Sequence, residues 1–202
     1  MKLLLMGPQG SGKGTIGELI SNSLNIPTIS AGQILRDLSE EDENYEEVQK
    51  TLNEGNLVSN ELVASLIKKR IALEDCKNGY ILDGWPRNMA QLEVFDPEPD
   101  KAVLLSIPRE VSIQRITGRR ICTSDGLSYN IHTLPKEELA KCTGELVQRP
   151  DDTKEAVEKR LNIYYEDTEK VVDFYRKEDV LLEVDAQPLP QAIADNILKQ
   201  LN

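Results

Sequence analysis

The chain alternates short, continuous apolar runs with longer stretches in which apolar residues recur three or four places apart. Lys2–Met6 (KLLLM) is the first run. A run of that length ending at a glycine cluster predicts a buried strand. Residues 80–82 (YIL), 101–107 (KAVLLSI) and 180–184 (VLLEV) read the same way, and residues 27–30 predict a shorter strand. Between these runs the spacing is helical. Ile16, Leu19, Ile20 and Leu24 share one face; Ile34, Leu35 and Leu38 form a stripe behind a candidate N-cap at Ser30. Residues 45–52 predict a helix ended near Gly55. Leu62, Val63, Leu66, Ile67 and Ile71 predict a long helix capped by Ser59 or Asn60 and running through Glu74. Further helices follow Pro108, ending at Gly118, then carry Val157, Leu161, Tyr164 and Tyr165 on one side, and finally span residues 189–201. Five short strands alternating with helices predict an α/β fold: a five-stranded parallel sheet covered by helices.

At 202 residues the chain is one α/β domain with insertions rather than two independent domains. The net charge of −11 excludes a general nucleic-acid or anionic-membrane binder, so an anionic ligand would need a local cationic cluster working against the overall field. Six of the acids lie between Glu40 and Glu47, where they read as a solvated face. No apolar run approaches membrane-spanning length, and the glycines after Met6 cut short anything like a signal peptide. A cytoplasmic protein is expected. Its three cysteines, Cys76, Cys122 and Cys142, make no disulfide framework.

The chemistry begins where the first strand ends. Gly7 to Thr15 (GPQGSGKGT) fit the P-loop pattern G-x-x-x-x-G-K, with Gly14 in the place of the frequent Ser or Thr and Thr15 one position later. Gly10, Gly12 and Gly14 permit backbone angles that turn successive N–H groups, Ser11 among them, toward a phosphate, and the following helix adds its positive end. Lys13 supplies a cation for the outer phosphates, and Thr15 a hydroxyl near a magnesium ion. The second informative stretch is residues 79–87 (GYILDGWPR). Asp83 falls at the C-terminal end of a strand, where open parallel sheets bind ligands, and a carboxylate there can hold magnesium-bound water beside the P-loop. Read in isolation, Asp83-Gly84 is a ligand site or merely a turn, and the P-loop favours the site; Arg36, taken alone, reads as a surface arginine.

Six ordered stretches then resemble the adenylate kinases of the bacterial, long-lid type, within the nucleoside monophosphate kinases. They are GPQGSGKGT, SAGQILR, GNLVSNELV, LDGWPR with Gln91, the Arg-Ile-Thr-Gly-Arg-Arg run at 115–120, and ELVQRPDD followed by Arg160. The resemblance covers essentially the whole chain. It implies a P-loop NTPase-like core (residues 1–29, 60–120 and 153–202) with two mobile insertions: a monophosphate-binding one at 30–59 and a lid at 121–152. It implies reversible, magnesium-dependent phosphoryl transfer from ATP to AMP by a monomer. On this resemblance Lys13, Arg87, Arg119, Arg149 and Arg160 are catalytic. ATP is contacted by residues 10–15 of the P-loop, Arg115, Arg119, Ser128, Tyr129 and, on a looser match, Gln187. AMP is contacted by Ala31, Arg36, Asn56, Leu57, Val58, Gly84, Trp85, Pro86, Arg87, Gln91, Arg149 and Arg160. Permanently charged, planar guanidinium groups suit phosphoryl transfer, which asks mainly for positioning and charge stabilisation. Closure of the lid would keep water from accepting the phosphoryl group, and lid motion rather than chemistry is expected to limit turnover.

Two departures bear on that expectation. Ala31 stands where adenylate kinases resemble one another in having threonine, and with Asn88 it resembles the UMP/CMP kinases; Gln91, whose amide can pair with adenine, points back to AMP. UMP/CMP-type or broad selectivity is the alternative, with a nonenzymatic nucleotide-binding scaffold behind it. In the lid, the positions that hold a structural zinc in many relatives read Cys122, Asp125, Leu139 and Cys142. Leucine cannot ligate, and tetrahedral zinc wants four donors, so a zinc-free lid is expected unless His132 supplies the fourth. The spacing can bring Cys122 and Cys142 together, but a disulfide is not expected in a cytoplasmic protein. No N-K-x-D guanine motif is present, which argues against a GTPase switch.

Overall fold

The computed structural model describes residues 1–201. Five strands, β1 (Lys2–Met6), β2 (Thr28–Ser30), β3 (Tyr80–Asp83), β4 (Lys101–Ser106) and a last strand at Leu181–Asp185, form one sheet. Its order places β2 at one edge, then β3, β1, β4 and the last strand, and every pairing is parallel. The central strands β1, β3 and β4 are buried on both faces, which is why they read as continuous apolar runs rather than as alternating ones. Leu4 and Met6 face one core with Leu82 and Leu104; Leu3 and Leu5 face the other with Ile81, Val103 and Leu105.

The helices read from the spacing appear in the predicted order, and one that the spacing does not predict, at Met89–Val94, is added between β3 and β4. Helix α1 (Lys13–Leu24) covers the second face together with the C-terminal helix at Pro190–Leu201. The first face is covered by α2 (Ala31–Arg36), α3 (Tyr45–Asn53), α4 (Asn60–Ile71) and α5 (Met89–Val94). Ser30 caps α2 by accepting from the Gln33 N–H, and Ser59 caps α4 through the Leu62 N–H. Helix α4 stops at Ile71, not at Glu74 as its periodicity suggests. Leu73 turns extended, and residues 74–76 form a separate 3₁₀ turn tied back by the bidentate pair of Arg70 with Asp75.

Helix α6 (Arg109–Thr117) leads into a second, three-stranded antiparallel sheet made of β5 (Arg119–Cys122), β6 (Ser128–Asn130) and β7 (Leu146–Val147), with the single-turn α7 (Lys136–Leu139) between β6 and β7. The sequence shows only turn formers here, because strands of two to four residues carry no readable period. At the start of this region Gly118 is closely approached: a Cβ there would lie 2.5 Å from Asn130 Oδ1 and from the His132 ring, and both side chains would have to move. Cys122 and Cys142 are joined by a disulfide, with Cα atoms 5.7 Å apart, contrary to the expectation of free thiols. Pairing of β5 with β7 and the turn after α7 bring the two residues together across a sequence separation of 20. In a reducing cytoplasm the same pair would stand as adjacent thiols.

The chain returns through α8 (Lys154–Ile163), a π-helical turn (Tyr164–Thr168) and α9 (Glu169–Lys177) to the last strand, β8, and the last helix, α10. The sequence pattern merges α8 with the π-helical turn, because apolar spacing of three and four does not distinguish them. No helix among the described residues is long and apolar enough to cross a membrane.

Candidate active site

The site lies beyond the C-terminal ends of β1, β3 and β4, and its floor is the turn from β1 to α1. Gly7, Gly10 and Gly12 have φ values of 139°, 80° and 91°, which side chains resist. Space reinforces the requirement: a Cβ on Gly10 would meet the Ser112 carbonyl oxygen at 2.9 Å. The Ser112 hydroxyl, on α6, closes the contact by donating to the Gln9 carbonyl. Lys13 Nζ is folded over the loop, donating to the Gly7 and Pro8 carbonyls at 2.8 and 3.0 Å. Burial drives the Lys13 ammonium down to about 8; Asp83 opposes the shift, while Arg87, Arg119 and Arg160 add to it.

Asp83 ends β3, in register with Leu5 of β1 and Ser30 of β2. Its Oδ1 is buried and has no hydrogen-bond partner within the protein. An all-oxygen setting with an unmatched carboxylate beside a phosphate cradle fits magnesium, which usually takes one or two carboxylates and leaves other positions to water and phosphate. Thr15 is exposed in the first turn of α1, on the same side of the sheet as the cradle.

Around this floor stands a cationic cluster drawn from four separate segments. Arg36 and Arg87 converge on Gly32, where a Cβ would lie 3.4 Å from the Arg36 guanidinium and 3.7 Å from that of Arg87. Arg87 is anchored by its own Nε donating to the Gly84 carbonyl, and Arg36 Nε is buried without a partner. Burial lowers both guanidinium groups from their ordinary value, and Arg160 adds to both shifts. Arg149 is pushed down to about 10 by burial and by the charges of Arg119 and Arg36. Two carboxylates hold the remainder. Asp152 accepts from Arg119 Nε and Nη2 at 2.8 and 2.5 Å and from Arg160 Nη2 at 3.0 Å; Asp151 accepts from Arg160 Nη1 at 2.7 Å. Both are nearly inaccessible, at 5% and 2% exposure for Asp151 and Asp152. Burial works to raise Asp152, but its bonds to Arg119 and Arg160 win and hold it below the usual carboxylate range. The arginines thus crowd one another in a poorly hydrated space, an arrangement that costs free energy until an anion of several charges enters.

Beside Arg87 runs a narrow cleft walled by Ala31, Asn56, Leu57, Val58, Gly84, Trp85 and Gln91, with Leu35, Leu52 and Val63 behind them. Gln91 is 2% exposed, and its Oε1 accepts from the Arg87 N–H at 2.8 Å. With its oxygen so committed, it offers the cleft only its amide donor. Trp85 is a wall: it is buried in the core and its indole N–H is spent on the Phe95 carbonyl. Asn88 does not reach into the cleft chemistry; its side chain caps α5 by accepting from the Gln91 N–H. Pro86 is buried behind the same loop.

The remaining sequence candidates sit on the opposite side. Arg115 Nη1 donates to the Ala186 carbonyl at 2.9 Å and to the Gly10 carbonyl at 3.4 Å, and Nη2 to the Gln187 carbonyl, so it ties the loop after β8 to the P-loop. Ser128 and Tyr129 lie on β6, where the Tyr129 hydroxyl donates to Asp125. Asp125 also accepts from the Leu127 N–H, Cys122 and Cys142 are bonded to each other, and Leu139 ends α7. No group of three or more His, Cys, Asp or Glu side chains among the described residues is placed to hold a metal ion. The pattern of residues did not single out Asp151 and Asp152 as the brace of the arginines; the paired acids one residue beyond Arg149, after Pro150, were its one available signal.

A phosphate-binding loop, an unmatched carboxylate and converging arginines on a parallel sheet define a P-loop phosphotransferase of the nucleotide kinases. The family model for adenylate kinase matches residues 5–180. Curated proteins named adenylate kinase align over nearly the whole length: that of Clostridium tetani (strain Massachusetts / E88) is 40% identical over 98% of this chain and 96% of its own. That of Clostridium perfringens (strain SM101 / Type A) is 39% identical over 100% and 98%, and that of Clostridium botulinum (strain Hall / ATCC 3502 / NCTC 13319 / Type A) 38% over 98% and 96%. The chain belongs to the adenylate kinase family.

Proposed function

We propose that this protein transfers the γ-phosphoryl group of ATP to AMP, giving two ADP, reversibly and with magnesium. The observation that carries the reading is the crowding of Lys13, Arg36, Arg87, Arg149 and Arg160 around one floor, with Arg36 Nε and Asp83 Oδ1 buried and unpartnered. ATP phosphates lie along the N–H groups of residues 10–15, with Lys13 at the outer ones. Arg119 and Arg160, braced by Asp151 and Asp152, and Arg149 face the transferred group, while Arg36 and Arg87 grip the acceptor phosphate. An acceptor phosphate oxygen attacks the γ-phosphorus as the bond to the bridging oxygen breaks. No side chain has to take up a negative charge, and charge moving between phosphates stays beside fixed guanidinium groups. Asp83 and Thr15 would hold magnesium through water and nucleotide; when bound, the ion neutralises charge on the phosphate oxygens. Residues 121–152 act as a lid and 30–59 as the monophosphate insertion, excluding water when they close; adenylate kinase lids are a standard example of such closure. The enzyme acts as a monomer, as the resemblance to the bacterial enzymes implies, and a cytoplasmic location suits its substrates.

The acceptor base is read at Gln91. An amide donor asks for a ring acceptor, which adenine offers at N1 and cytosine at N3, whereas uracil N3 and guanine N1 carry hydrogens. Turning the Gln91 amide to suit them would cost its bond to the Arg87 N–H. Ala31 widens the cleft without adding a polar group, and Asn88 is occupied as a cap, so neither favours uracil. Initial rates with AMP, CMP, UMP, GMP and dTMP at saturating Mg-ATP test the reading. AMP is expected to lead, and UMP and GMP to trail by about 10²-fold in kcat/KM, the scale on which an unpaired buried polar group rejects a ligand. Faster transfer to UMP than to AMP would overturn the assignment of Gln91, and ATP binding with no transfer to any of the five would overturn the kinase reading itself.

A further inference from the structure

Arg87 leaves the chain at a turn, and a long side chain on a turn is aimed only if its backbone is held. Two bonds are local: its N–H donates to Gln91 and its Nε to Gly84. The third comes from a distant part of the chain. The Thr168 hydroxyl donates to the Arg87 carbonyl at 2.8 Å across 81 residues of sequence. Thr168 is 7% exposed, one of few buried polar residues, and lines no part of the cleft. It closes the π-helical turn that follows α8, the helix carrying Arg160. In an uninterrupted α-helix the eight-residue step from Arg160 to Thr168 would rotate the side chain by about 80°. A π-helical turn winds less per residue, which returns Thr168 toward the face that bears Arg160. One helical element therefore touches the loop of Arg87 and carries Arg160.

We propose that Thr168 is a positioning residue for the acceptor phosphate: its hydroxyl fixes the backbone from which Arg87 reaches the site, and the π-helical turn is what carries that hydroxyl there. The proposal rests on the reading of Arg87 as the ligand of the acceptor phosphate. It predicts an effect on one substrate and not on the other, because Thr168 bonds to the Arg87 loop and to nothing in the P-loop.

The test uses Thr168→Val, which removes the hydroxyl and keeps the shape, Thr168→Ala as a second deletion, and Thr168→Ser, which restores the hydroxyl. KM is measured for AMP at saturating Mg-ATP and for Mg-ATP at saturating AMP. AMP binding is titrated through the fluorescence of Trp85, the chain's one tryptophan and a wall of the cleft. The AMP constants should rise about tenfold in the valine and alanine variants, the Mg-ATP KM should stay within about twofold, and the serine variant should return to wild type. Equal shifts for both substrates, unchanged AMP constants in folded variants, or loss of the fold in both deletions would each indicate a merely structural threonine and overturn the proposal. A wild type that transfers to AMP beside unaffected variants sinks this proposal alone; a wild type that neither transfers to AMP nor binds it sinks the functional reading and the proposal together.

Discussion

Lys13→Met should lower kcat by on the order of 10³-fold and yet leave the ligand-free protein at least as stable as the wild type. The two effects have one cause. Within the protein itself Lys13 is drawn down from 10.5 to about 8 by burial and by Arg87, Arg119 and Arg160, so its charge is disfavoured until phosphates stand beside it. The folded-state value is depressed, which fixes the sign of the pH dependence. Below about pH 8 the lysine is charged in both folded and unfolded chains, and the folded state carries the full cost. Between about 8 and 10.5 the unfolded chain binds more protons, so the lysine's contribution to stability improves as pH rises. Thermal melts of the apo proteins from pH 7 to 10.5 check this. The wild type should lose less stability with rising pH than the methionine variant, and the two melting temperatures should approach each other. The same shift predicts that Mg-ATP binding near pH 8 takes up protons, because the incoming phosphates favour the ammonium form; calorimetry in buffers of different ionisation enthalpy measures it. A methionine variant that melts lower than the wild type at pH 7, or binding with no proton uptake, would remove the argument.

Arg160→Lys should lower kcat by about 10²-fold with little change in either KM. The charge is kept, but the fork is lost. Arg160 uses Nη1 for Asp151 and Nη2 for Asp152 and the Asp151 carbonyl at once, and a single ammonium cannot hold those three directions. The variant should also unfold at a lower temperature than the wild type, because Asp151 and Asp152 stay buried with fewer donors. Arg160→Ala should be worse on both counts. Steady-state rates and melting curves on the pair separate charge from geometry: a lysine variant with wild-type kcat would mean that only the charge matters.

These two expectations differ in how far the sequence alone reaches. The P-loop is contiguous in sequence. Its glycines, its lysine, the strand before it and the helix after it lie within the first 24 residues, so local backbone requirements reveal both the element and its chemistry. The sheet was legible for a similar reason: the central strands, buried on both faces, must be continuously apolar, and those three runs with the two edge segments, separated by helical spacing, admit few topologies. The three short strands of the second sheet and the π-helical turn were not, because pieces of two to five residues are specified by their neighbours rather than by their own period.

The sequence by itself determined the core sheet, the phosphate cradle, the carboxylate at the end of β3 and, through six ordered motifs, the family. Only the tertiary structure decided which arginines are buried together. Arg36, Arg87 and the Arg149–Arg160 stretch are far apart in the chain, and whether a guanidinium lies in water or in a crowded, desolvated cluster depends on what folds over it. The same holds for Asp151 and Asp152, to which the sequence assigns no role and which become the buried brace of Arg119 and Arg160. It holds for Asn88, which turns out to cap α5, and for Cys122 and Cys142, which meet through the pairing of β5 with β7. Thr168 is the clearest case: a threonine in a helix carries no signal until the fold sets its hydroxyl against a carbonyl 81 residues away. Local pattern specifies what the backbone does next; convergence over distance is a property of packing, and it is packing that aims the charges.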